Sequence, residues 1–413
     1  MKRRFSMKQG ESWEDWMQTT LRMRTLAICA FGLLSSAATG SAAPAKPYKI
    51  NAIMPLTGGV AFLGKEEKTS LQLAQTAINK RGGIHGRKVE FAYFDDQTNP
   101  QTTVQLTNQL LAQKPTVILG SSLVSSCNAM APLMENGPVM YCFSPGIHPK
   151  KGSYVFSSTV STADLAAAQL RYFRMKGWTR IAIMTSADAT GQDAERGLDK
   201  ILARPENKGM KVVDRAHFNL TDVSVAAQIE HIKEAKPQAL IAWSSGSPIA
   251  TVFKGIVQAG LNVPVATTNA NMTYAQMKQY AAFLPKQLYI PSAEWVKHQG
   301  GAKLNPAVEK AQKEFFDLYK GAKVKPDAGA TLSWDPAMIV VHALRHLKAG
   351  ASAGQLRDYI NGMKGFAGIN GMYDFTKRPQ RGLDINSVIV TRWSRSKNTW
   401  VVVSKPTGTP LGK

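Results

Sequence analysis

The stretch Ala77-Ile78-Asn79-Lys80-Arg81-Gly82-Gly83-Ile84-His85-Gly86-Arg87-Lys88, running on to Asp95-Asp96, decides the fold. Just before it, residues 66–81 carry Leu71, Ala74 and Ile78 at helical spacing and stop at Gly82-Gly83. Just after it, residues 88–94 alternate as a strand and end at the two aspartates. The apolar run at residues 48–54 precedes the helix, so this region predicts strand, helix, turn, strand.

The same alternation continues outward. Residues 100–113 and 126–135 read as helices, and 116–119 and 139–143 as strands. A second series starts near Ala163. Its helices are expected at 164–176 and 192–202, and its strands at 180–185, 211–218, 238–243, 263–267 and 287–290. The order βαβαβ, twice, predicts an α/β chain with two parallel sheets, each flanked by helices. Long helices follow at 306–319 and 328–347, then a twisted β segment at 372–403. In open sheets of this kind, ligands sit beyond the carboxyl ends of the strands. That singles out the loops 55–64, 120–126, 144–148, 186–191, 244–247 and 268–271. They are rich in Gly, Ser, Thr and Asn, which bind polar solutes without acid–base chemistry.

At the N-terminus, Leu26-Ala27-Ile28-Cys29-Ala30-Phe31-Gly32-Leu33-Leu34 is apolar, is preceded by Arg22 and Arg24, and leads into small residues up to Ala43. This is the pattern of a secretory signal peptide, cleaved after Ala43, and the run is too short to span a bilayer. The region before it is unusually long, and Met23 would make a conventional start. Removing residues 1–43 takes away six basic and three acidic residues and lowers the net charge from +23 to +20. The charge is spread along the chain with no long basic run, which argues for a solvated basic surface rather than a nucleic-acid partner. About 370 residues remain, enough for two lobes. Cys127 and Cys142 are then the only cysteines; a disulfide and a pair of buried thiols are both compatible with their spacing.

The chain resembles the leucine/isoleucine/valine-binding family of type I periplasmic binding proteins over about residues 48–403. The resemblance rests on Pro55-Leu56-Thr57-Gly58 to Gly64, the Asn79–Gly86 region, Asp95-Asp96 with Pro100, and Gly120 followed by Ala131-Pro132. It extends to Ala259-Gly260-Leu261 and Trp334-Asp335-Pro336-Ala337. It implies a two-lobed fold with three crossover hinge segments. Lobe one would be 48–161 plus 291–371, and lobe two 162–290 plus 372–413. It also implies a monomeric periplasmic protein that closes on a small solute and docks on a membrane permease driven by an ATPase.

In amino-acid-binding members, the loop after a lobe-one strand holds the ligand carboxylate with a Ser hydroxyl and backbone N–H groups. Here Val124 falls at the Ser position, followed by Ser125 and Ser126, which also suit helix capping. Ser144 is a candidate donor in the next loop. In lobe two, Asn269 takes the place of the Glu that pairs with the ligand ammonium. An unpaired buried charge costs several kcal/mol, so the expected ligand is a carboxylate without the α-amine, aromatic or branched. Trp243, at a strand end, suits stacking on a ring and equally a core position. Thr162 and Thr190 are further candidates, and Asp164 suits a helix cap.

No catalytic constellation is visible: there is no G-x-S-x-G, H-E-x-x-H or phosphate loop. His342 and His346 stand i, i+4 without a third ligand, so neither a metal nor a cofactor is expected. A ligand sensor of the same fold is the alternative to transport.

Overall fold

The computed structural model describes residues 45–296 and 303–412; the expected leader, residues 1–43, lies outside them. The first sheet consists of β1 (Tyr48–Met54), β2 (Val89–Asp95), β3 (Val117–Gly120), β4 (Val139–Cys142) and β5 (Val155–Ser157). All are parallel, in the order β2-β1-β3-β4-β5. Its connections are α1 (Ala61–Lys80), α2 (Pro100–Leu111) and α3 (Val124–Met130). Asn99 starts α2 by accepting from the amides of Gln101 and Thr102, with Pro100 in the first turn, where a missing N–H costs nothing.

Three residues close the turn at Gly82-Gly83. The Asn79 side chain bonds both backbone groups of Val89, at 2.9 and 2.6 Å, and joins helix to strand. Gly83 has φ +66°, and a Cβ there would stand 1.9 Å from the Arg87 carbonyl, so only glycine fits. Arg345 donates to the Gly83 and Ile78 carbonyls at the helix end.

The second lobe has α4 (Thr162–Met175), β6 (Arg180–Ser186), α5 (Ala189–Leu202), β7 (Lys211–Phe218), α6 (Ala226–Glu234) and β8 (Ala239–Trp243). It continues with α7 (Ile249–Gln258), β9 (Val265–Ala266), α8 (Tyr274–Gln279) and β10 (Leu288–Ala293). The chain then adds α9 (Pro306–Gly321), α10 (Ala328–His346), α11 (Ala353–Gly362) and the hairpin β11 (Lys364–Gly368) and β12 (Gly371–Asp374). It ends in β13 (Val388–Ser394) and β14 (Thr399–Val402). The second sheet runs β14-β13-β10-β9-β8-β6-β7.

Three features depart from the sequence expectation. The second sheet is mixed, because β13 lies antiparallel to both β10 and β14. The strand expected at 263–267 shrinks to two residues: Pro264 has no N–H to give, and Thr267 and Thr268 already turn into a loop. The helix expected at 126–135 begins at Val124 and tightens into a 3₁₀ turn at Ala131–Met134, where Pro132 removes a donor.

Between the two sheets the chain crosses at 158–161, again after Ala293, and a third time at 375–387. The first and third crossings are tied together. The Ser157 amide donates to the Gln380 carbonyl, and the buried Arg381 guanidinium donates to the carbonyls of Ser158, Thr159 and Ile147.

Cys127 on α3 and Cys142 at the end of β4 form a disulfide with both residues fully buried. This decides between the two states that their spacing allowed. It braces two adjacent loops at the carboxyl end of the first sheet. Replacing both cysteines by alanine is expected to lower stability by about 3 kcal/mol, the entropic value for a loop of about 15 residues. A denaturant titration of the double variant checks this, and an unchanged midpoint would contradict it.

Candidate ligand-binding cleft

The carboxyl ends of both sheets face one cleft. Lobe one lines it with Val60 just before α1, Leu63 from α1, Ser122, Leu123 and Val124 after β3, Ser144, Pro145 and Gly146 after β4, and Leu332 from α10. Lobe two contributes Thr162, Thr190, Trp243, Ser245, Thr268 and Ala270. The empty space between these walls, part of it open to solvent, is about 400 Å³. The lobes touch across it: the Ser247 amide donates to the Gly59 carbonyl at 2.8 Å, and His148 Nε2 lies 2.6 Å from Asp193 Oδ1.

Five of the residues singled out from sequence meet in this lining: Val124, Ser144, Thr162, Thr190 and Trp243. Trp243 is 2% exposed and also belongs to the core, so it takes part in both settings considered for it. Three others stand outside the lining. Ser126 is fully buried and turns away to share a 2.8 Å hydrogen bond with Thr103. Ser125 is half-buried on the flank of α3. Asn269 is buried in a 3₁₀ turn, its Oδ1 taken by the Thr268 hydroxyl at 3.2 Å. Asp164 takes a hydrogen bond from Ser161, the residue that caps α4.

Sequence reasoning found the loops better than the residues within them. Ser122, Gly146, Ser245 and Thr268 lie in loops that it had marked, yet it passed over them. Nothing in the pattern distinguishes one serine from its neighbour three residues on. His342 and His346 have rings 4.2 Å apart on α10, and among the described residues no group of three His, Cys, Asp or Glu is placed to hold a metal.

The loops are held from behind by carboxylates, and Asp96 and Glu67 among them are buried. Asp95 accepts from the amides of Leu56 and Thr57 and the Thr57 hydroxyl, which fixes the first loop. Asp96 accepts from Ser121 Oγ at 2.5 Å and from the Thr98 amide. In lobe two, Asn271 does the corresponding work, bonding Ser244, Gly246 and Thr267. Glu67, fully buried on α1, holds Ser122 Oγ at 2.6 and 2.5 Å from its two carboxylate oxygens. Burial pushes its pKa up to about 8, the Ser122 bond opposes this, and the Asp96 charge adds to it.

This is the architecture of a two-lobed binding protein, and the comparisons agree. The chain belongs to the periplasmic binding protein family, whose model matches residues 47–398. Members of this family are binding proteins, and membership implies a periplasmic location. The chain is 24% identical over 258 residues to the leucine-, isoleucine-, valine-, threonine- and alanine-binding protein of Pseudomonas aeruginosa. The aligned segment is 60% of this chain and 66% of that relative, just under two thirds of its length. The crystal structure of a type 1 periplasmic binding protein from Bordetella pertussis superposes with a TM-score of 0.75 at 21% identity. It covers 87% of this chain and 100% of its own. A fatty acid ABC transporter substrate-binding protein from Thermomonospora curvata gives 0.73 at 19% identity, covering 87% and 92%.

Glu67 gives stability a definite pH dependence. The folded chain keeps this proton up to about pH 8, whereas the unfolded chain releases it near the ordinary value of 4.5. Its contribution is therefore complete below pH 4.5, declines as pH rises, and is lost beyond about pH 8. Glu67→Gln, which keeps a neutral partner for Ser122, is expected to flatten the urea midpoint between pH 5 and 8.5 relative to the parent. Parallel curves for the two proteins would show that Glu67 does not titrate in this range.

Proposed function

We propose that the chain is the substrate-binding component of an ABC-type transporter, capturing a small organic carboxylate with an apolar body and delivering it to a membrane permease. The lining of the cleft carries this reading. It offers five hydroxyl-bearing residues besides Ser144, an indole and several aliphatic side chains, and not one Asp, Glu, Lys or Arg. Such a wall solvates a polar head and buries a hydrocarbon body, and it supplies neither acid–base nor nucleophilic chemistry. The first turn of α3 supports a carboxylate at the lobe-one end, since Leu123 leaves its amides without a side-chain cap. Trp243 supports a flat or branched body beside it.

An α-ammonium finds no carboxylate in this lining, so aromatic or branched acids are favoured over their amino acids. The name of the Pseudomonas relative favours the second reading, a branched-chain amino acid.

A thermal-shift panel separates the two. 4-Methylpentanoate or 3-phenylpropanoate is expected to raise the melting temperature more than leucine or valine does. Stabilisation by leucine alone would overturn the proposal in favour of the amino acid.

A further inference from the structure

Ser122 lines the cleft and is bound from behind to a buried acid. Its Oγ lies 2.6 and 2.5 Å from the two oxygens of Glu67, whose side chain is fully buried on α1. A serine hydroxyl carries one hydrogen. Facing an ionised Glu67, which can only accept, Ser122 turns that hydrogen inward. Facing a neutral Glu67, it can accept the carboxyl proton, and its own hydrogen is released to the cleft. The charge state of Glu67 thus decides whether Ser122 offers the cleft a donor or only an acceptor.

The surroundings of Glu67 decide where the proton sits. Asp96, just past β2, adds a like charge. It accepts from Ser121 Oγ, from the Thr98 amide and, at 3.4 Å, from Thr103 Oγ1. The Glu67 carboxyl has Ser122 alone. Burial and a like charge both favour a neutral acid, and of the two acids the one with a single donor keeps the proton. No cation offsets this. Among the described residues, no Lys, Arg or His forms an ion pair with Glu67. On α1, Lys65 is exposed, Lys68 lies over the Tyr93 ring, and the charge of Glu66 acts on Asp327, which caps α10. From α10, Ser333 donates to the Glu67 backbone carbonyl at 3.2 Å, while Asp335 is held by Ile369, Asn370 and Tyr373. Asp95 is taken up by Leu56 and Thr57.

We propose that capture of an anionic ligand is coupled to a proton on Glu67: the neutral acid frees Ser122 to donate to the ligand, and the ionised acid takes that donor away. This rests on the carboxylate reading above and deepens it. The charge effect has the same sign, since an ionised Glu67 behind the wall repels an anion in the cleft. Affinity is therefore full where Glu67 is protonated and falls as pH rises through about 8. A simple carboxylic acid is ionised from pH 6 upward, so it adds no slope of its own.

The test is calorimetry on the full mature chain, from pH 6 to 9, with 4-methylpentanoate, 3-phenylpropanoate and leucine. An acid that binds is expected to bind about tenfold more weakly at pH 9 than at pH 6, the loss set by one proton held up to about pH 8. At pH 9, buffers of differing ionisation enthalpy are expected to reveal uptake of nearly one proton upon binding. In Glu67→Gln, whose amide still serves Ser122, the change from pH 6 to 9 is expected to stay within about twofold, without proton uptake. Ser122→Ala is a second variant should the first fold poorly. It is expected to bind about three- to tenfold more weakly at pH 6, as the loss of one hydrogen bond implies. A flat profile in the parent, a slope that persists in Glu67→Gln, or full affinity in Ser122→Ala overturns the coupling and leaves the carboxylate reading standing. Binding by leucine alone overturns the carboxylate reading, and the pH profile for leucine then decides the coupling by the same measures. No binding by any of the three compounds overturns both.

Discussion

The structure depends on one buried guanidinium. The chain passes between the two lobes through crossings, and crossings are irregular backbone with carbonyls to satisfy. Arg381 satisfies three of them at once: Ser158 and Thr159 in the first crossing, and Ile147 in a loop of the cleft. Burial lowers its pKa to about 10, with Asp164 and Asp193 opposing that shift, so it remains charged at neutral pH. A planar fork of donors suits this work in a way that a lysine would not. Because Arg381 stands in the third crossing, the hinge and the cleft wall share a single anchor.

From that anchor the asymmetry of the two lobes follows. Lobe one presents loops braced by Asp95, Asp96, Glu67 and the Cys127–Cys142 disulfide. Lobe two presents loops arranged around Asn271, whose amide makes bonds to four neighbouring groups. On both sides these bracing groups are occupied by the protein itself. The hydroxyls that face the cleft are therefore placed before a ligand arrives, and ordering them costs little upon binding.

The fold was legible because its signals are backbone requirements. Gly83 and Asn79 each answer a local constraint that few other residues meet, and periodicity marked most of the helices and strands between them. The strand β5 escaped notice because three residues carry no period, and the mixed character of the second sheet because strand direction is not written in alternation. The site was legible only as loops. Val124, Ser144, Thr162, Thr190 and Trp243 meet in the cleft, while Ser126 turns away to Thr103 and Asn269 is bonded by Thr268 outside the lining, and the choice depends on the local turn of each loop. Glu67 had no signal at all. It lies within a helix among ordinary surface charges, and only tertiary contact brings it to Ser122.

These placements bear on how a ligand can close the lobes. A solute shifts an open–closed equilibrium only by as much as it binds the closed state better. Here the lobes already make contacts of their own across the cleft, the Ser247–Gly59 backbone bond and the His148–Asp193 pair. A ligand that draws on both walls, Ser144 on one side and Thr162 or Thr190 on the other, gains those contacts together only where the lobes meet, so such binding rewards closure, whereas recognition by the lobe-one loops alone would hold the ligand equally well in an open state.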